Sequence, residues 1–122
     1  MVNPSPTYEE VIIFSKEISK AHSPLVIYEE IGFSAKGRPI PLLTITEPSI
    51  SLKNKKVFLL TGGVDGNEEV GRAVNLGFAK WLMQPENRHY LKTQLFLIAP
   101  VCNPDGAIEN LPNNLGNGSG LH

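Results

Sequence analysis

Val57-Phe58-Leu59-Leu60-Thr61-Gly62-Gly63-Val64-Asp65-Gly66-Asn67-Glu68-Glu69 is the stretch whose reading decides the fold. Its first four residues are apolar without alternation, which predicts a strand covered on both faces, central in a sheet. Gly62 and Gly63 break the run. A helix is predicted from about Glu68 to Met83, with Val70, Val74, Phe78, Trp81 and Leu82 forming its buried stripe at helical spacing. Glu68 and Glu69 then fall in its first turn, favourable beside the positive end of the helix dipole, and Pro85 closes it. Leu95-Phe96-Leu97-Ile98-Ala99 is a second strand apolar on both faces. Strand, helix, strand is a βαβ unit, so the two strands are expected to run parallel with a right-handed crossover.

Upstream, the pattern changes. Thr7 and Glu10 form a Thr-x-x-Glu capping box at the start of a helix predicted over about Tyr8 to Ala21. Tyr8, Val11, Ile12, Ser15 and Ile18 share one stripe, and His22-Ser23-Pro24 ends the helix, because the residue before proline is pushed out of helical backbone. Leu25 to Ser34 and Ile40 to Thr46 read as two strands around the turn Lys36-Gly37-Arg38-Pro39. So short a connection predicts an antiparallel hairpin. The fold class is therefore α/β: a mixed sheet in which an antiparallel hairpin joins a parallel βαβ unit.

Length and composition bound the function. The chain has 122 residues, which suits a single domain spanning 1–122, and 41% of them are apolar, enough for a packed core. Eleven Lys+Arg against twelve Asp+Glu leave a formal charge of -1, not the footprint of a nucleic-acid binder. Apolar runs reach only about five or six residues, too short for a membrane span. No secretory signal is read in MVNPSPTYEE. With one cysteine, Cys102, no internal disulfide forms, and the cytoplasm is the expected location. Asn110 to His122, with four Asn, three Gly and one Pro, is predicted to be a flexible tail with turns and left-handed backbone.

Ligands of open α/β sheets bind beyond the carboxyl ends of the parallel strands. Two segments reach that rim: Thr61 to Glu69, and Val101-Cys102-Asn103-Pro104-Asp105-Gly106. In the first, glycines let the backbone bend tightly, so that Asp65 and Glu68 point at one site. Two carboxylates at that spacing suit a divalent cation, yet zinc takes about four donors and calcium about six or more. Acidic residues in such a place also serve as caps and dipole partners. A phosphate-cradling loop is the third reading, but no Gly-Lys-Ser/Thr follows and the carboxylates repel phosphate. Asn103-Pro104-Asp105-Gly106 alone is a type I turn signature. His22, His89 and His122 are read as solvated, Cys102 as a packed small side chain, and Trp81 and the Phe58/Phe96 pair as core.

Three segments in order then acquire a joint meaning: Ser34-Ala35-Lys36-Gly37-Arg38-Pro39-Ile40, Gly63-Val64-Asp65-Gly66-Asn67-Glu68, and Asn103-Pro104-Asp105-Gly106. Over roughly residues 25 to 110 the chain resembles the amino-terminal half of a zinc carboxypeptidase of the carboxypeptidase A type. That family shares a Ser-x-x-Gly-Arg-x-Ile hairpin, a Gly-x-His-x-x-Glu zinc loop and an Asn-Pro-Asp-Gly turn. The resemblance implies a partial zinc-carboxypeptidase-like (phosphorylase/hydrolase-like) fold, zinc as cofactor, a peptide as substrate, and Asp65 and Glu68 as metal ligands.

The departures from that pattern shape the expectation. Asp65 stands where the family places its first histidine ligand, giving a harder donor than imidazole and weaker zinc binding. The stretch Leu111 to Gly120 lacks the arginines that grip a substrate's terminal carboxylate in the family. The family's third ligand, a histidine, and its general-base glutamate come later than His122; within the chain only Glu69 and Asp105 remain as stand-ins for the base. The expectation is a metallocarboxypeptidase portion that is truncated and inactive alone, with no catalytic residue assigned. Its alternative is a non-catalytic remnant serving as a binding or oligomerisation module. Under either, unpaired strand edges and exposed apolar faces predict a homo-oligomer.

Overall fold

The computed structural model describes residues 2–112, in the order α1 (Tyr8–His22), β1 (Val26–Phe33), β2 (Pro39–Ile45), β3 (Lys56–Thr61), α2 (Val70–Leu82), β4 (Gln94–Ala99) and α3 (Pro104–Glu109). The predicted tail lies outside the described residues from position 113 onward, and so does His122. The four strands form one sheet in the order β1-β2-β4-β3. β1 and β2 are antiparallel, β2 and β4 antiparallel, and β3 and β4 parallel, with Phe58 opposite Phe96. The hairpin joined to a βαβ unit is thus present as expected.

α1 begins where its capping box dictates. Thr7 Oγ1 accepts from the Glu10 N–H at 3.1 Å and the Glu10 carboxylate accepts from the Thr7 N–H at 3.1 Å. α1 and α2 pack on each other and over the same face of the sheet. Between them Ile18, Val26, Leu43, Ile45, Ala79, Leu82, Phe96 and Ile98 build the main core. A smaller cluster of Tyr8, Val11, Leu76 and Val101 sits toward the carboxyl ends of β3 and β4. Tyr8 ties α1 to the hairpin by donating its hydroxyl to the Pro39 carbonyl.

Three expectations are corrected. β3 is an edge strand, not a central one; β4 takes the central place, because β2 pairs with it and not with β3. Leu59 is 66% exposed and Val57 is also open, on the face opposite the helices. The stripe of α2 is rotated from the one predicted. Arg72, Asn75, Leu76, Ala79 and Leu82 are buried, whereas Val70 and Val74 are exposed and Trp81 is 45% exposed. Hydrophobic periodicity placed the apolar stripe inward, but the helix buries two polar side chains, of which Arg72 anchors the loops by hydrogen bonds to Gly66 and Pro6. Finally, α2 starts at Val70: Glu68 lies in the preceding turn and Glu69 is the N-cap, without a side-chain capping bond.

Smaller differences follow from local hydrogen bonding. Asn103-Pro104-Asp105-Gly106 opens the short helix α3, not an isolated turn. The Asn103 side chain caps it by accepting from the Gly106 N–H at 3.0 Å, and proline suits its first turn. Pro85, which closes the predicted helix, begins the 3-10 helix Pro85–Lys92. Asn110 ends α3 in left-handed backbone, φ 56°, as the turn-rich composition there implied. The Phe58/Phe96 pair does stack, at 5.5 Å, but only Phe96 is buried.

Candidate metal site at the sheet rim

Beyond β3 and β4 the parallel ladder continues into both loops. Gly62 N–H donates to the Ala99 carbonyl at 2.9 Å, Cys102 N–H to Gly62 at 2.8 Å and Asn103 N–H to Gly63 at 2.9 Å. These bonds bring the two segments named from sequence together at the carboxyl rim. Gly63 needs left-handed backbone, φ 61°, which bends the chain away from β3 at little steric cost. At Gly62, a Cβ would press on the Gly71 carbonyl at 2.7 Å, so α2 approaches this loop as closely as backbone allows.

The acidic turn is held from several sides. Glu68 N–H donates to the Asp65 carbonyl at 3.0 Å, closing residues 65–68 into one tight turn. Arg72, almost wholly buried, reaches back from α2: Nη1 donates to the Gly66 carbonyl at 2.9 Å and Nε to the Pro6 carbonyl at 3.0 Å. Burial lowers the Arg72 pKa, while the Glu69 charge acts in the opposite sense. From the other loop, Asn103 Nδ2 donates to the Val64 carbonyl at 3.4 Å. Gly66 packs on Gly106 so tightly that a Cβ would overlap its backbone. Within this frame Asp65 is half-buried, with Oδ1 out of solvent, and Glu68 is exposed.

Asp105 has a different role from the one left open for it. Its carboxylate is 1% exposed and accepts three hydrogen bonds from the hairpin turn: Ser34 Oγ at 2.7 Å, Lys36 N–H at 3.1 Å and Arg38 Nη1 at 2.9 Å. Burial pushes the carboxyl upward, but the bonds from Ser34, Arg38 and Lys36 and the Arg38 charge outweigh it and hold the group below its ordinary value. A carboxylate so occupied is a clamp, not a proton acceptor for substrate. Lys36 and Glu109 add an ion pair at the same junction. Sequence reasoning had both halves of this clamp, the Ser-x-x-Gly-Arg turn and the Asn-Pro-Asp-Gly segment, but not their contact. The anchoring role of Arg72 it missed altogether; a lone arginine beside Glu69 gave no signal.

Of the remaining candidates, the described histidines lie away from the rim and only Cys102 borders it. His22 stands beside Arg88, which donates toward its Nδ1 at 3.4 Å, and burial and that charge lower its pKa. His89 lies against the Glu86 carbonyl and the Tyr90 ring. Cys102 borders the rim half-buried, and burial raises its thiol pKa despite a backbone hydrogen bond from Gly62, consistent with a packed, unreactive side chain. Among the described residues no three His, Cys, Asp or Glu side chains gather as a metal-holding group. No helix there is long and apolar enough to cross a membrane.

Comparison with known proteins gives the same direction throughout. The zinc carboxypeptidase family profile matches residues 11–113. Cytosolic carboxypeptidase 6 of Mus musculus is 32% identical over 104 residues, covering 82% of this chain and 19% of the mouse protein. Carboxypeptidase E of Caenorhabditis elegans is 32% identical over 97 residues, 74% of this chain and 21% of that protein. In structure, carboxypeptidase A from Helicoverpa armigera superposes with a TM-score of 0.77 at 27% identity, over 85% of this chain and 26% of that one. The chain thus spans about a fifth of the length of these curated relatives.

Proposed function

The chain belongs to the zinc carboxypeptidase family, and from that premise we propose that it forms one wall of a metallopeptidase centre without completing it. Asp65 and Glu68 are the two metal donors. The observation that supports this most is the closure of residues 65–68 into one turn at the carboxyl rim, pinned by Gly62, Arg72 and Asn103. The donor set fits half of a zinc shell, since zinc takes about four ligands and two carboxylates supply about two. Zinc, when bound in such a centre, polarises a scissile carbonyl and acidifies its water.

What the chain's own residues do is narrower. Asp65 and Glu68 bind; the loop bonds orient them; Asp105 locks the hairpin against the rim. Glu69, exposed at the N-cap of α2, makes no side-chain capping bond, so among the described residues no general base is positioned and no guanidinium is placed to grip a substrate carboxylate. The polypeptide alone is therefore inactive toward peptides, its family's substrate class. An aspartate in the first ligand position makes the site harder than a histidine would. The cytoplasm fits this reading, supported by the lone cysteine and by a cytosolic relative.

Zinc titration by calorimetry tests the proposal. Weak saturable binding is expected, lost in Asp65→Ala and in Glu68→Ala, with no release of C-terminal residues from peptides. Heat unchanged by both substitutions, or measurable hydrolysis, would contradict it. The alternative, a non-catalytic binding module, is favoured by the open apolar surface around β3. A binding activity that survives both substitutions supports that alternative.

A further inference from the structure

Arg72 is 3% exposed, yet neither ion pair of the described residues includes it. A side chain so polar and so far out of water needs partners for its donors. They reach two carbonyls remote from each other in sequence: Nη1 donates to Gly66 at 2.9 Å and Nε to Pro6 at 3.0 Å. The first carbonyl lies inside the acidic turn, between Asp65 and Glu68. The second belongs to the segment ahead of α1. The stem of Arg72 packs beside Gly63, where a Cβ would stand 3.4 Å from its Cγ, so the side chain is confined at its base as well as at its tip.

Segment 2–7 is itself fixed. Asn3 Oδ1 accepts from the Ser5 N–H at 2.9 Å, and Asn3 Nδ2 donates to the Glu10 carboxylate at 3.1 Å. The same carboxylate closes the capping box on Thr7. Pro6 is fully buried, and Val2 packs on the cluster of Tyr8, Val11, Leu76 and Val101. Proline locks its own φ, so the Pro6 carbonyl is a stiff anchor for the guanidinium.

The bridge suits arginine. Its donors form a rigid planar fork, so holding one sets the direction of the other, whereas a lysine ammonium is a point charge on a flexible stem. The Asn103 bond to Val64 is neutral and longer, 3.4 Å, so Arg72 carries more of the placement of the turn. We propose that Arg72 is a positioning residue for the metal donors, transmitting the order of segment 2–7 to the turn that carries Asp65 and Glu68. The proposal rests on the reading of those two carboxylates as ligands.

Native-state hydrogen exchange of the 122-residue chain reads the positioning without any metal. The Glu68 amide, bonded to the Asp65 carbonyl, reports opening of the turn, while β4 amides report the core. In Arg72→Lys the Glu68 amide is expected to exchange about tenfold faster or more, as the loss of a charge-assisted bond implies. Pro6→Gly loosens the segment but keeps Arg72, and speeds the same amide by about threefold. Ile18→Val, in the main core, speeds exchange in β4 and leaves Glu68 unchanged. Zinc calorimetry follows the same order: wild type binds tightest, Pro6→Gly more weakly and Arg72→Lys most weakly. An unchanged Glu68 rate in Arg72→Lys overturns the proposal, and so does a rate raised equally by Ile18→Val, since any loss of stability would then open the turn. A Glu68 rate raised by Arg72→Lys but untouched by Pro6→Gly overturns the part of segment 2–7. Should Arg72→Lys not fold, Pro6→Gly decides. Wild type that takes no zinc while both exchange shifts appear would overturn the ligand reading and keep the mechanical link from Pro6 through Arg72 to the turn.

Discussion

Asp105 shows how much one side chain can decide. Its three accepted hydrogen bonds and its ion pair with Arg38 join the hairpin turn to the rim of the parallel pair. Asp105→Asn leaves the Arg38 guanidinium without its counter-charge and is expected to lower unfolding free energy by about 2 to 3 kcal/mol in urea. The pH dependence has a defined sense. The folded carboxyl titrates below its ordinary value of 3.8, so the clamp contributes fully above that value and its stabilisation fades as pH falls through the folded pKa. Wild type should therefore lose stability toward acid more steeply than Asp105→Asn. Parallel acid limbs for the two proteins would contradict the clamp. From sequence, Asp105 looked like an ordinary turn residue, because its partners at Ser34, Lys36 and Arg38 are remote along the chain. The capping residue Thr7, whose partners are local, was legible at once.

At the scale of elements, the same contrast separates what patterning revealed from what it hid. The capping box, the hairpin and the parallel pair follow from local spacing and short connections. The order of strands does not, since only the antiparallel union of β2 with β4 puts β3 at the edge. Nor does the rotation of α2, where Arg72 faces inward to bond loop carbonyls, Asn75 is buried beside it, and Val70 and Val74 are left outside. Asp65 and Glu68 could be placed in one turn from their separation, as the Glu68 N–H to Asp65 carbonyl bond has it; the anchors of that turn were not legible. Two glycines of the α2 region make this testable. Gly77 has open space where a Cβ would go, so Gly77→Ala should raise stability by about 0.5 to 1 kcal/mol through helix propensity. Gly62→Ala should destabilise instead, because its Cβ would lie 2.6 Å from Asn75 Nδ2 and 2.7 Å from the Gly71 carbonyl. Thermal denaturation of both variants checks the pair; a Gly62→Ala protein as stable as wild type would refute the close approach of loop and helix.

For the molecule as a whole, three sequence motifs become one physical junction. The hairpin turn, the acidic loop and the Asn103–Gly106 segment meet at the sheet rim, held by Asp105, by the Gly66–Gly106 contact and by the extended parallel ladder. In this junction each motif positions the next. In this chain the junction is intact, and Asp105 is fully committed to it. Among the described residues none of the hydrogen bonds that hold the junction uses the exposed Glu68 side chain, so removing that side chain should leave the fold untouched. Glu68→Ala is expected to unfold within about 0.5 kcal/mol of wild type, as an exposed surface change does.

The central claim, that Asp65 and Glu68 serve one cation, is tested most directly by backbone amide NMR during zinc titration. Saturable shifts confined to Asp65, Gly66, Asn67 and Glu68 and their neighbours across the rim, absent in Glu68→Gln, are the predicted result. Unmoved resonances at 65–68, or shifts centred instead on His22 and His89, would contradict it.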